Sequence, residues 1–115
     1  MLRFHATSVE CFSQFAEVLT VSFDNRADHY LALQVWTEGF EENADGIGMI
    51  HVEVDDQSNS GYDCFTEVEL RRNAFHICFD GQVRELAQLR AVEVTFALGA
   101  DEFKELGTAL RRIFR

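Results

Sequence analysis

The sequence predicts one α+β domain, in which an antiparallel β-sheet meander packs against a C-terminal α-helix. Apolar and polar residues alternate over several short runs, which is typical of strands with one face on a core and the other in water. Short links rich in turn-forming residues separate these runs and favour pairing between strands that are neighbours in sequence. Near the end of the chain, the spacing of apolar residues changes to that of a helix. The short links also argue against a parallel βαβ sheet.

The alternating runs predict strands, and the polar segments between them predict turns. Residues 16–23 and 29–36 are expected to form a hairpin across the polar turn at 24–26. Further strands are expected at residues 47–54, 65–71, 74–79 and 91–98. Residues 55–61 have the composition of a turn or loop, and residues 83–89 of a short helical segment.

The last segment of the chain predicts a helix that closes the apolar face of the sheet. A break with an N-cap is expected at residues 99–101. Acidic residues come early in this segment, and Arg111 and Arg112 come late, which suits the helix dipole. Apolar residues recur at helical spacing at Phe103, Leu106, Leu110, and Ile113 or Phe114.

Length and composition predict a single domain over residues 1–115. The chain is 47% hydrophobic and contains eleven Phe, enough to bury a core without a metal or disulfides. No secretory signal pattern and no apolar run long enough to span a bilayer occurs in the sequence. The three Cys form no C-x-x-C pair, and an odd number cannot all pair within one chain. A reducing cytoplasm is therefore the expected location.

The negative charge of the chain is concentrated in its first part. The formal net charge is −10 at pH 7. Residues 1–70 carry fourteen Asp and Glu against two Arg, whereas residues 71–115 carry six against eight Lys and Arg. Such a field repels the phosphates of nucleic acids and anionic lipids, and it attracts basic proteins. We therefore expect a protein partner, and neither direct nucleic-acid binding nor membrane binding.

The candidate metal ligands with the best spacing are His51, Glu53 and Asp55, at alternate positions of one predicted strand. They would share one face, but next-nearest side chains stand about 7 Å apart, and a site would need a fourth ligand from elsewhere. A solvated strand face is the simpler interpretation. The acidic segment 41–46 resembles the opening of a calcium loop, but Val52 stands where the closing Glu is required. We predict no metal and no cofactor.

No catalytic motif is recognisable in the sequence. It contains no Gly-rich phosphate loop, no G-x-S-x-G elbow and no Cys with a catalytic signature around it. His29 and His76 fall at outward strand positions or strand ends, where a surface imidazole is the ordinary explanation. We predict a binding protein rather than an enzyme. Two alternatives stay open: a general interaction domain that forms a homodimer through an edge strand, and a metal-dependent enzyme built on His51, Glu53 and Asp55.

Two aromatic residues close to the acidic loops are candidate anchors for a protein partner. Phe40 lies between Gly39 and Glu41, and Tyr62 follows Gly61. An aromatic ring surrounded by charge is the composition of a protein-binding patch.

Several segments resemble the immunity protein 10 family of bacterial polymorphic toxin systems. They are YLALQ at 30–34, GMIHVEV at 48–54, SGY at 60–62, TEVELRRNAF at 66–75, and the end of the chain from FKEL at 103–106 to LRRIF at 110–114. The chain departs from the family at Asp63 and Cys64, where the family tends to continue with small residues. The similarity covers roughly residues 30–114.

The resemblance implies a cytoplasmic protein, encoded beside a toxin, that binds the toxin domain and neutralises it by occlusion. A basic nuclease domain would suit the acidic charge of the chain, because carboxylates can take the place of phosphates. The expected contact region combines the candidate aromatic anchors with the neighbouring acidic residues: Phe40, Glu41, Glu42, Asp45, Asp55, Asp56, Tyr62 and Asp63.

Overall fold

The computed structural model describes residues 1–14, 18–36 and 50–114. In these ranges the strands are β1 Leu2–His5, β2 Ser8–Gln14, β3 Val18–Asp24, β4 Tyr30–Trp36, β5 His51–Val54, β6 Asp56–Tyr62, β7 Phe65–Arg71, β8 Ala74–Phe79 and β9 Ala91–Thr95. The helices are α1 Arg84–Leu89 and α2 Ala100–Ile113. The described residues contain no helix with the length and apolar character needed to cross a membrane.

The strands form two sheets. The five-stranded sheet has the order β2-β3-β4-β5-β6 and is an antiparallel meander. The four-stranded sheet has the order β1-β9-β8-β7, in which β1 runs parallel to β9 and the other pairs are antiparallel. Together with α2 they give the α+β class, a sheet packed on a C-terminal helix, as the sequence predicts.

The chain passes directly from one sheet to the other at two places. Between β1 and β2, the Ala6 N–H donates to the Thr95 carbonyl of one sheet and the Thr7 N–H to the Asp24 carbonyl of the other, at 2.8 and 2.9 Å. Between β6 and β7, the Asp63 N–H donates to the Ile50 carbonyl at 2.9 Å, after which the chain enters the four-stranded sheet. These crossings hold the two sheets together at opposite edges.

The core lies between the two sheets, and α2 closes one side of it. Phe23 of β3 stacks on Phe75 of β8 and on Phe96, with ring centroids 5.4 and 6.1 Å apart. Helix α2 adds buried Leu106 and Leu110 to the same cluster. The inward positions of the strands are those that the alternation predicts, including buried Val21, Leu33, Val52, Val54, Ile77, Val92 and Val94.

The predicted hairpin and the helical segments are confirmed. Strands β3 and β4 pair antiparallel across the polar turn, in which the Asn25 side chain accepts from three backbone N–H groups. Helix α1 begins at Arg84, inside the predicted segment 83–89. Helix α2 has Gly99 as its N-cap, and the Gly99 N–H donates to Glu102 at 3.2 Å.

Three details differ from the expectation. The segment 55–61, predicted as a loop, contains most of strand β6. It lies at the edge of the sheet, so that no apolar face is required and the alternation signal is absent. The strands β1 and β2 were not predicted, and the single meander is instead two sheets with one parallel pair. Strand β1 pairs with β9, which lies far from it in the sequence, and therefore no local sequence pattern indicates this pairing.

Candidate functional site

The outer face of the five-stranded sheet carries one of the predicted contact residues, Tyr62, and Asp55, Asp56 and Asp63 lie at the ends of its edge strand β6. The positions of this face alternate with the core positions, and the strand register sorts them into two rows that cross all five strands. One of these positions, Thr20, is buried. One row is Phe12, Thr20, Gln34, His51 and Tyr62, and the other is Glu10, Ser22, Ala32, Glu53 and Ser60. Large aromatic rings stand at both ends of the first row, with Phe12 41% and Tyr62 54% exposed.

The backbone on both sides of Tyr62 is held in place, although the Tyr62 ring is exposed. The ring centroid lies 4.9 Å from that of His51. On one side of Tyr62, a Cβ at Gly61 would overlap Cγ2 of Val83, so the backbone is packed tightly there. On the other side, Asp63 exchanges two hydrogen bonds with Ile50: its N–H donates to the Ile50 carbonyl at 2.9 Å, and its Oδ1 accepts from the Ile50 N–H at 2.8 Å. An exposed ring on a fixed backbone loses less entropy on binding than one on a mobile segment.

Asp55 uses its carboxylate to connect two turns. Its Oδ2 lies 2.8 Å from Nδ1 of His29, and its Oδ1 accepts from the Tyr30 N–H at 2.9 Å. The Asp55 N–H donates back to the Tyr30 carbonyl at 3.1 Å. Asp55 has a φ of 64°, a left-handed conformation that Asp tolerates better than most residues. Its carboxylate is therefore engaged inside the protein and half-buried, like that of Asp63.

Asp56 and Asp28 are exposed carboxylates at the same end of the sheet. Asp56 Oδ1 accepts from the N–H and the hydroxyl of Ser58, at 2.9 and 3.0 Å, and these hydrogen bonds lower the pKa of Asp56. A hydrogen bond from the Asn25 side chain, followed by the neighbouring His29, lowers the pKa of Asp28. Both groups present negative charge to solvent at neutral pH.

The three residues considered as candidate metal ligands, His51, Glu53 and Asp55, do not converge. The His51 ring contacts Tyr62 in a tilted arrangement, Glu53 accepts from the Tyr30 hydroxyl at 2.5 Å, and the Asp55 carboxylate is engaged by His29 and the Tyr30 backbone. Burial, followed by the hydrogen bond to Glu53, raises the pKa of Tyr30. Within the described ranges, no group of three or more His, Cys, Asp or Glu side chains could hold a metal ion.

The predicted contact residues divide into two groups. Phe40, Glu41, Glu42 and Asp45, like the whole segment 41–46, lie outside the described residues. Asp55, Asp56, Tyr62 and Asp63 lie at the two ends of β6, so the structure places them along one edge of the sheet. A strand of this length spans about 20 Å.

The sequence interpretation missed residues that only the register brings to this surface. Glu10 and Phe12 come from the unpredicted strand β2. Asp28 lies at the same end of the sheet as Asp56, because the contact between the His29 ring and the Asp55 carboxylate holds the two turns together. Alternation in residues 8–14 was the available signal, but it is weak because both faces of β2 carry polar residues.

The outer face of the four-stranded sheet has a different electrostatic character. Arg3 pairs with Glu93 at 3.7 Å, and Arg71 pairs with Glu69 and Glu93 at 2.6 and 3.2 Å. Every ion pair of Arg or Lys with a carboxylate that the described residues form lies on this face. By contrast, residues 8–62 contain one Arg, Arg26, against eleven Asp and Glu. On the outer face of the four-stranded sheet, Arg side chains of the same chain therefore neutralise the carboxylates. On the outer face of the five-stranded sheet, the described residues form no such pairs.

The thiols do not form a reactive centre. Cys64 is buried, and Cys11 and Cys78 are half-buried and unpaired. Burial, assisted by Glu105, raises the pKa of the Cys11 thiol from 9.0 to about 11. Burial and the neighbouring Glu67 also raise the pKa of Cys78.

We expect Cys11 to react slowly with iodoacetamide in the folded protein. The thiolate is the nucleophile, so at pH 8 a pKa near 11 instead of 9.0 lowers the reactive fraction about a hundredfold. Mass spectrometry of labelled peptides would measure this rate against that of the same peptide in urea. A native rate equal to the unfolded rate would contradict the burial of Cys11.

The fold and this surface define a β-rich domain whose outer sheet face has the composition of a protein-binding surface, with exposed aromatic rings and unpaired carboxylates. The sequence model of a family described as Immunity protein 10 matches residues 5–104. The chain therefore belongs to the immunity protein 10 family. The match runs from His5, the last residue of β1, into the start of α2 and so includes strand β2. No curated protein and no solved structure matches the chain.

Proposed function

We propose that this immunity protein neutralises a bacterial toxin domain by binding it through the outer face of the five-stranded sheet and the adjoining edge of β6. Family membership supports the immunity role. The main support for placing the toxin-binding surface on this face is the difference in ion pairing between the outer faces of the two sheets. Carboxylates without an Arg or Lys partner are available to basic groups on another protein, whereas the paired ones on the four-stranded sheet are not.

The proposed complex forms by electrostatic steering followed by anchoring of the aromatic ring. The negative field of the face speeds the approach of a basic toxin surface. Asp28 and Asp56 then meet basic side chains, and Tyr62 packs against the toxin as an anchor on a fixed backbone. Asp55 and Asp63 act indirectly, because their hydrogen bonds fix the backbone on which Asp56 and Tyr62 stand.

The partner that best fits this face is a toxin with a basic active surface, such as a nuclease domain. The protein acts by covering that surface, and immunity families in general act without catalysis. We infer a cytoplasmic location, because a toxin that acts on nucleic acid must be neutralised there. Phe40, Glu41, Glu42 and Asp45 remain in the proposed contact region because of their composition.

The test uses the toxin domain encoded beside this chain, with protection of growing cells and association rate as readouts. We expect Asp56→Lys to slow association about tenfold, and more at low salt, because it reverses a charge in the steering field. Glu69→Lys is the matched control, since it changes the net charge equally on the opposite face.

Equal rates for the Asp56 and Glu69 variants would show that the placement is wrong. Failure of the wild-type chain to bind or protect against that toxin would refute the function itself. Alanine at Glu41, Glu42 and Asp45 together should also weaken binding, and unchanged affinity would remove that segment from the contact region.

A further inference from the structure

The four strands at the sheet edges differ in how well they are guarded against pairing. Strand β1 is short, with four residues. Both β6 and β7 have irregular register with their neighbours, and α1 packs against β6. Short edges, bulges and covering elements are the usual protections of an edge strand. Strand β2 is neither short nor irregular: its seven residues pair with β3 in unbroken register, although α2 packs against one side of it.

The side chains of β2 add no protection either. The strand contains no Lys, Arg or Pro, and its one charged residue, Glu10, points to the outer face. Phe12 on the same strand is 41% exposed. Among the described residues, no strand pairs with the second edge of β2. Such an edge is a template for another strand.

A groove lies beside β2, with α2 as its second wall. Its volume is about 520 Å³. Cys11, Phe12 and Ser13 line it from β2, and the charged residues on the α2 side are Asp101, Lys104, Glu105 and Arg112. A strand added to β2 would therefore place its inward side chains against a helix as well as against the sheet.

The charges along this wall of α2 are self-complementary. Asp101 and Glu105 lie toward the start of the helix and outnumber Lys104 between them, whereas Arg112 lies in the last turn, and all four are exposed. If two β2 strands pair antiparallel in a continuous sheet, a two-fold axis normal to the sheet relates the copies and makes their α2 helices antiparallel. The acidic end of each helix then faces the basic end of the other.

We propose that two copies of this chain associate through antiparallel pairing of their β2 strands, with α2 flanking the seam. This interface lies at the β2 edge of the sheet, away from Asp28, Asp56 and Tyr62 at and near the β6 edge, and it shares Phe12 with the proposed toxin-binding surface. Strand β6 lies four strand spacings from β2, about 19 Å. The two acidic edges therefore stand much farther apart than the Debye length of about 8 Å at physiological salt, so their repulsion is screened.

Sedimentation equilibrium over a range of protein concentrations tests the proposal with the chain alone. The wild-type mass should rise from 13.2 kDa toward twice that value as the concentration increases. Ser13→Lys, which places a charge in the groove, should remain a monomer. Gln57→Lys makes the same change on the opposite edge of the sheet and should associate like the wild type.

A charge exchange tests the arrangement of the helices. Arg112→Asp should lower the dimer fraction, and adding Asp101→Arg should restore it, because each swapped pair again has opposite signs. Circular dichroism would establish that all variants are folded. A wild-type monomer at every concentration, dimers of Ser13→Lys as stable as the wild type, or no restoration in the double variant would each overturn the proposal.

Discussion

Replacing Phe23 with alanine should lower the free energy of unfolding by about 3–5 kcal/mol, which is the cost of removing a large side chain from a packed core. Phe23 is fully buried and stacks on both Phe75 and Phe96 of the other side of the core. Its removal leaves a cavity where the two sheets meet. The two crossings of the chain hold the sheets at their edges, so the site cannot collapse freely to fill that cavity.

Urea unfolding followed by circular dichroism would measure this loss. Phe12→Ala is the matched control, because Phe12 is 41% exposed and its truncation should cost less than about 1 kcal/mol. Equal effects of the two substitutions would mean that the sheets do not pack through Phe23.

Gly61→Ala should lower the free energy of unfolding by about 1–3 kcal/mol through overpacking. The added Cβ would overlap Cγ2 of Val83, and the next nearest atoms, those of Cys64, are at ordinary contact distance. Gly61 does not have the positive φ that favours glycine, unlike Gly81. The cost is therefore steric and comes from one neighbour.

The double variant Gly61→Ala with Val83→Ala provides the decisive comparison. Val83→Ala alone truncates a partly buried side chain. When Val83 is already alanine, the methyl group that Gly61→Ala adds has room. We expect Gly61→Ala to cost at least 1 kcal/mol less in that background, a coupling within the range of residues in contact. Additive effects of the two changes would contradict the packing of Gly61 against Val83. Because Gly61 precedes Tyr62, the single variant should also weaken toxin binding.

Local patterns were sufficient to predict the elements that have one apolar face. The hairpin β3–β4 and the helix α2 combine a clear period with a recognisable turn or cap, and both appear as expected. Strand β6 was missed because neither of its faces is apolar, and β1 because its partner β9 lies at the far end of the chain. The sequence therefore predicted the fold class but not the division into two sheets.

The candidate site was predictable in composition and not in geometry. Tyr62 is exposed as expected for an anchor. The hydrogen bonds of Asp55 and Asp63 to backbone N–H groups depend on tertiary contacts that no spacing indicates. The left-handed φ of Asp55 also ends the strand alternation, which is why its side chain does not follow those of His51 and Glu53 along the outer face of β5.

The alternation along the five-stranded sheet has a consequence for how recognition can diverge. Positions that hold the fold together, such as Val52, and positions that would meet a partner, such as His51, are interleaved but face opposite sides. A substitution on the outer face leaves the core contacts unchanged, because neighbouring side chains point away from each other. A chain with this architecture can therefore acquire a new specificity by successive surface changes, each tolerated without loss of the fold.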